Sequence, residues 1–176
     1  GQGVAVDLEG SFGWAEKSAQ AGFGLGQFRL GLMYRYGTGT EPDENKSNEW
    51  FDKAAKSLPA MVKDDKNPAA MRALGLLQYR GWGGLEQDRV AALKLFQQGA
   101  DAGDVLSMVE VADQLWDGKG TRRQRTKAKA LYRKVLPLLM GMGETYDVIV
   151  TLPGGDLTIT WPGYGPVFME GDAVQV

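Results

Sequence analysis

The 176-residue chain contains no histidine and no cysteine. Without imidazole or thiol it cannot build a Ser-His-Asp triad, a cysteine nucleophile, an imidazole or thiolate metal site, or a disulfide. Any chemistry would fall to carboxylates, Lys, Tyr, Ser or Thr, and no cofactor or metal is expected. Charge of one sign is also scarce. A formal net charge of -2 and a pI near 5.3 give no global field to hold a phosphate backbone, so nucleic acid is not an expected partner. No apolar run approaches the roughly 20 residues that span a bilayer. The best candidate, 135–142, is broken by Pro137 and a glycine, so no transmembrane segment is expected. The sequence opens at Gly1 rather than Met, which fits an upstream signal or anchor on an exported protein, and the lack of cysteine fits either compartment.

What the chain has is glycine, 25 of them, within an ordinary globular composition of 43% apolar and 10% aromatic residues. One pattern places many of these glycines. An apolar residue and a small residue are followed six and eight positions later by paired glycines: Leu30-Gly31 with Gly37 and Gly39, Leu74-Gly75 with Gly81 and Gly83, Val111-Ala112 with Gly118 and Gly120. Self-similarity at such a period is the mark of a stacked helical array. In the first copy Gly22, Gly26, Leu30, Gly31 and Tyr34 fall on one helical stripe, and small residues there admit a close neighbour. The paired glycines stop the helix, and a second helix follows from about Glu44 to Ser57, with Trp50, Phe51, Ala54 and Ala55 on its buried side. The second copy resumes with Ala92, Leu95 and Phe96, the third with Ala128, Leu131 and Tyr132, and a half copy, Trp14 to Gly22, precedes them all. The turn glycines lie 44 residues apart from Gly37 to Gly81 and 37 apart from Gly81 to Gly118. The extra length is assigned to a longer connection at 58–68, which carries two prolines and four charges.

These residues resemble the Sel-1-like repeats, relatives of the tetratricopeptide repeats. The signature is the Leu30-Gly31 pair, Tyr34, the Gly37-Thr-Gly39 turn and the Trp50 to Ala55 stripe, over residues 14 to 143. Gln78 and Leu115 stand in place of the tyrosine, and Pro137 interrupts the last helix. The resemblance implies a mainly α fold, a right-handed α-solenoid of about three and a half helical hairpins. Residues 1–13 would be an N-terminal extension, 14–143 the solenoid and 144–176 a β-rich tail. In tetratricopeptide-like arrays the first helix of each hairpin lines the concave face. Carried over, the rule names Phe28, Leu32, Arg35 and Tyr36, then Arg72, Leu76, Tyr79 and Arg80, then Val109, Asp113, Trp116 and Asp117 as partner-binding. Aromatics beside arginines are the composition of protein-binding hot spots. The alternative reading of Leu32, Leu76 and Val109 is packing between repeats.

Other motifs have plainer readings. The strings 22–26, 37–40 and 118–121 imitate phosphate loops but satisfy neither the dinucleotide fingerprint nor the P-loop pattern. Asp101 with Asp104, or Asp43 with Glu44, could form an acid and base pair for a carboxylate-based hydrolase, but they stand where carboxylates cap helices. The stretch 119–129 holds six positive charges and no aromatic residue. It reads as a solvated loop entering a helix or as a contact for an acidic partner. After Gly143, β-branched segments at Tyr146–Leu152 and Leu157–Trp161 flank Pro153-Gly-Gly-Asp156 and read as a hairpin, expected to cap the array or to offer a strand edge to a partner. The sequence thus points to noncatalytic recognition of a protein or peptide. The resemblance implies adaptor or scaffold roles and, more narrowly, a periplasmic bacterial immunity protein that neutralises a secreted toxin. The rival is a carbohydrate or cell-wall binder using Tyr36, Trp82 and Trp116 as stacking platforms.

Overall fold

In the computed structural model, residues 7–139 are described in full, and residues 146–152, 155–161 and 168–170 as backbone. Seven helices run in order through the first of these segments: α1 Leu8–Gln20, α2 Gly24–Tyr36, α3 Glu44–Lys63, α4 Pro68–Arg80, α5 Arg89–Asp101, α6 Val105–Asp117 and α7 Arg125–Leu139. Each packs against the next. They form three hairpins, α2 with α3, α4 with α5 and α6 with α7, preceded by the single helix α1. The even-numbered helices also touch across repeats, α2 with α4 and α4 with α6, so they form the inner row of the stack. This is a mainly α solenoid. Helix α1 begins at Leu8 and so takes in residues that the sequence pattern leaves outside the half copy.

The starts of these helices follow from short polar side chains. Asp7, Asp43, Asn67, Asp88 and Asp104 each accept a hydrogen bond from a backbone N–H of the first turn that they precede. Each such cap is worth about 1 kcal/mol. The ends of the inner helices are equally regular. Gly37, Gly81 and Gly118 adopt left-handed backbone with φ of 66°, 70° and 73°, and their N–H groups bond the carbonyls of Met33, Leu77 and Gln114. The second glycine of the pair does another job. A Cβ on Gly83 would lie 2.5 Å from the Phe51 carbonyl oxygen, and one on Gly120 would lie 2.4 Å from that of Arg89. The turn of each of these repeats therefore presses directly on the outer helix of the repeat before it.

Within a hairpin, the small residue of the apolar-small pair receives an aromatic ring. A Cβ on Gly31 would come within 2.6 Å of the Phe51 ring, and one on Gly75 within 2.6 Å of the Phe96 ring; both rings are fully buried. Ala112 takes this place in the third hairpin and Tyr132 the aromatic place. Tyr132 is only half-buried there, and its hydroxyl bonds Asp113.

The extra residues of the first interval form helix, not the connection expected from their prolines and charges. Helix α3 is 20 residues long where α5 has 13, and only residues 64–67 link it to α4. Leu58, fully buried among Phe28, Phe51 and Ala70, anchors the added turns, and Pro59 is accommodated inside the helix. The strands β1 Tyr146–Leu152, β2 Gly155–Trp161 and β3 Phe168–Glu170 pair antiparallel in that order, with Tyr146 opposite Trp161 and Leu152 opposite Gly155. The Pro153-Gly154 part of the expected turn, and whether the tail caps the array, lie outside the described residues.

The two functions of glycine in the second turn can be separated by substitution. Gly83→Ala meets both the strain of φ +68° and the Phe51 carbonyl, whereas Gly84→Ala meets only the strain of φ +65°, with its nearest neighbour 3.7 Å away. Gly84→Ala is expected to cost about 1 kcal/mol and Gly83→Ala at least about 2–3 kcal/mol. Urea unfolding of the two variants checks this, and equal losses would show that the turn does not press on α3.

Candidate functional site

The inner row carries polar and aromatic groups that packing leaves accessible. Of the twelve residues named from the sequence, two belong to the interior. Phe28 is 6% exposed and packs on Phe51 with ring centroids 5.8 Å apart, because the lengthened α3 covers it. Trp116 is 8% exposed, beneath the first turn of α7, with the Arg125 guanidinium 5.2 Å from its ring centre. Leu32, Leu76 and Val109 are half-buried against the cores on either side, so their packing alternative accounts for most of their surface.

The other seven are accessible in part or in full. Tyr36, at the end of α2, is 65% exposed. Arg35 donates to Glu44 at 3.0 Å and places its guanidinium 5.1 Å from the centre of Trp82. Arg80 is exposed and lies 5.5 Å from the Tyr79 ring and 5.7 Å from the Trp82 ring. Arg72 donates from Nε to Asp104 Oδ2 at 2.9 Å, and the same oxygen accepts from the Ser107 amide and hydroxyl. One carboxylate thereby caps α6 and ties it to α4. Asp113 accepts a short hydrogen bond from the Tyr132 hydroxyl, and Asp117 pairs with Lys119.

Residues outside the carried-over set complete this surface. Trp82 stacks on Phe51 at 4.7 Å and 3°, which leaves its other face to the two guanidinium groups. Arg89, the first residue of α5, holds its guanidinium 5.8 Å from the Tyr79 ring. Glu110 is half-buried one turn before Asp113 on α6. Offsets along the inner helices could not find Trp82 or Arg89, because one lies in a turn and the other begins an outer helix. An aromatic in a Gly-rich turn was the available signal for Trp82.

The electrostatics divide the surface. Burial raises the pKa of Glu110, and the neighbouring Asp113 raises it further, against the opposing pull of Arg72 and Arg80. Asp113 is open to solvent, yet the surrounding walls desolvate it and raise its pKa, while the Tyr132 hydrogen bond lowers it. The result is an acidic wall on α6 beside the arginines Arg72 and Arg80 of α4. The carboxylates considered as an acid and base pair have structural partners. Asp43 and Asp104 cap helices, Glu44 holds Arg35, and Asp101 accepts from Gln97. Among the described residues there is no cluster of three or more His, Cys, Asp or Glu that could hold a metal, and no helix is long and apolar enough to cross a membrane. Within 119–129, Arg122, Arg123, Arg125 and Lys127 are exposed, and Ala128 is buried.

Comparison with a family model agrees with this architecture. The Sel1 repeat matches four segments, 1–23, 24–57, 68–104 and 105–134, and passes over 58–67, the added turns of α3 and their connection. Among solved structures, a Sel1 repeat protein from Oxalobacter formigenes is 30% identical, aligning over 78% of this chain and 56% of its own, with a TM-score of 0.48. The protein c5321 of uropathogenic Escherichia coli, a protective antigen displaying an SLR fold, is 23% identical, aligning over 78% of this chain and 35% of its own, with a TM-score of 0.41. The chain thus spans about half and about a third of the lengths of these two proteins. A comparison with curated proteins gives no match.

Glu110 supplies a pH test. Its carboxyl has a raised pKa in the folded chain relative to the ordinary value of 4.5, so its ionisation opposes folding above that value. Glu110→Gln is therefore expected to raise the melting temperature at pH 7. The gain should shrink as pH falls through the raised folded value and vanish below about 4.5. A constant difference from pH 7 to pH 4 would mean that burial of the charge is not the cause.

Proposed function

The chain belongs to the Sel1 repeat family, and we propose that it is a noncatalytic interaction module that takes a protein or peptide partner on the inner row of helices. Sel1 repeat proteins generally mediate protein–protein interaction. The observation that carries the proposal for this chain is the set Tyr36, Arg35, Tyr79 and Arg80. It gathers aromatic and arginine side chains at the ends of α2 and α4, at least partly open to solvent, where packing of the cores does not use them up. Such groups dominate protein-binding energetics because they bury large area at low entropic cost. Stacked hairpins supply the extended surface.

The sugar-stacking alternative draws less support. Carbohydrate platforms need free aromatic faces, but of the three residues Trp116 is buried and Trp82 lies between Phe51 and two guanidinium groups, which leaves Tyr36 as the open ring. Neutralisation of a secreted toxin by an exported protein is a narrower form of the same proposal and would use the same face. The basic stretch 119–129, with Arg122, Arg123 and Arg125 exposed, is a second place where an acidic partner surface could meet the chain.

A photo-crosslinking residue at Tyr36 tests the proposal in the cells that produce the protein. One identified partner should be captured from Tyr36 and not from Gln97, an exposed position on the outer helix α5. Tyr36→Ala should then weaken purified binding of that partner by about tenfold, as loss of a hot-spot aromatic does. Equal capture from Gln97, or unchanged affinity for Tyr36→Ala, would refute the inner-row assignment.

A further inference from the structure

We propose that the rim of the inner row recognises an acidic protein segment, whose side-chain carboxylates seat on a ladder of three guanidinium groups alternating with two aromatic rings. This deepens the proposed function and rests on its reading that the inner row takes a protein partner. The order of the ladder is Arg35, Trp82, Arg80, Tyr79, Arg89, with successive cation-to-ring distances of 5.1, 5.7, 5.5 and 5.8 Å. It draws on α2, α4, the turn after α4 and the first residue of α5, so it crosses from the first hairpin into the second. Beyond it, Lys119 in the turn after α6 is paired with Asp117 and is not part of the ladder.

Three neighbouring guanidinium groups repel one another unless anions lie among them. Of these three, within the described residues, Arg35 alone has an ion-pair partner, Glu44; Arg80 and Arg89 have none. The rings limit the freedom of the guanidinium groups, and among the described residues the N–H forks of Arg80 and Arg89 carry no side-chain hydrogen bond, so they remain open to a carboxylate. A chain of arginines and aromatics also suggests single-stranded nucleic acid, which would stack bases on the rings. Here cations already lie over the rings. Phe51 and two guanidinium groups occupy Trp82, and Arg80 and Arg89 occupy Tyr79. The net charge of -2 also repels a long polyanion, whereas a short acidic segment senses mainly the rim. The carboxylates of Glu110 and Asp113 on α6 would repel an acidic segment that strayed from the rim.

The test uses the full chain and a fluorescein-labelled peptide containing six consecutive glutamates, read by anisotropy against a Gly-Ser peptide and an oligothymidylate of six phosphates. The glutamate peptide is expected to bind most tightly, with affinity that falls as salt is added. Arg80→Gln with Arg89→Gln should weaken it by about tenfold or more, while Lys56→Gln with Lys94→Gln, an equal loss of charge on exposed outer positions, should leave it unchanged. Equal weakening by both double variants, tighter binding of the oligothymidylate, or no preference over the Gly-Ser peptide would each overturn the proposal. A partner captured at Tyr36 whose affinity survives Arg80→Gln with Arg89→Gln would remove the ladder and leave the inner-row reading standing. Peptide binding that depends on the ladder, with partner capture only from Gln97, would show that the rim binds acidic peptides while the cellular partner docks on the outer row, and would overturn the inner-row reading.

Discussion

The ring of Phe51 in the notch of Gly31, and that of Phe96 in the notch of Gly75, is the contact on which the rest of the array depends. A backbone without a Cβ lets the outer helix approach until an aromatic ring lies against the inner helix itself, and both rings are sealed from water. That depth fixes the spacing inside each hairpin. Stacking between hairpins follows, because Gly83 in the second turn presses on the carbonyl of the same Phe51 that fills the first notch. Trp82, one residue earlier in that turn, lies flat on the Phe51 ring. The notch, the turn and the ladder are therefore one continuous contact, and the position of Arg35 and Arg80 over Trp82 is a consequence of packing two layers below.

The third hairpin shows what happens when the notch is partly filled. Ala112 occupies the small position and Tyr132 the aromatic one, and the ring is half-buried instead of sealed. Its hydroxyl reaches Asp113, and burial, together with that hydrogen bond, pushes the phenol well above its ordinary pKa. One added methyl group thus accompanies the change from a dry contact to a polar one on the side of the array where α6 presents its acidic wall.

Much of this was legible because it recurs along the chain. The apolar-small pairs, the turn glycines and the start of α3 can be read from spacing, since each reflects a local demand of backbone or cap. Contacts that exchange residues between repeats were hidden. A Cβ on Gly26 would strike the side chain of Ser18, and one on Gly99 that of Ser107, so the same helix crossing is built once with serine on the outer helix and once with serine on the inner. A rule based on single positions cannot see such a swap. For the same reason, offsets along one helix placed Phe28 and Trp116 on the open face, although neighbouring helices cover them. Pro59 and the charges around it suggested a loop because local propensity was weighed there without the burial of Leu58 that sustains the helix.

If ring and notch form one unit, their substitutions must be coupled. The most direct measurement is a double-mutant cycle of Gly75→Ala and Phe96→Leu by urea unfolding. Each single change should destabilise, Gly75→Ala by forcing the ring out and Phe96→Leu by emptying the notch. In the double variant the smaller side chain relieves the clash, so its loss should fall short of the sum by about 1 kcal/mol or more. Additive losses would contradict the account, because they would mean that the glycine is required for something other than the ring.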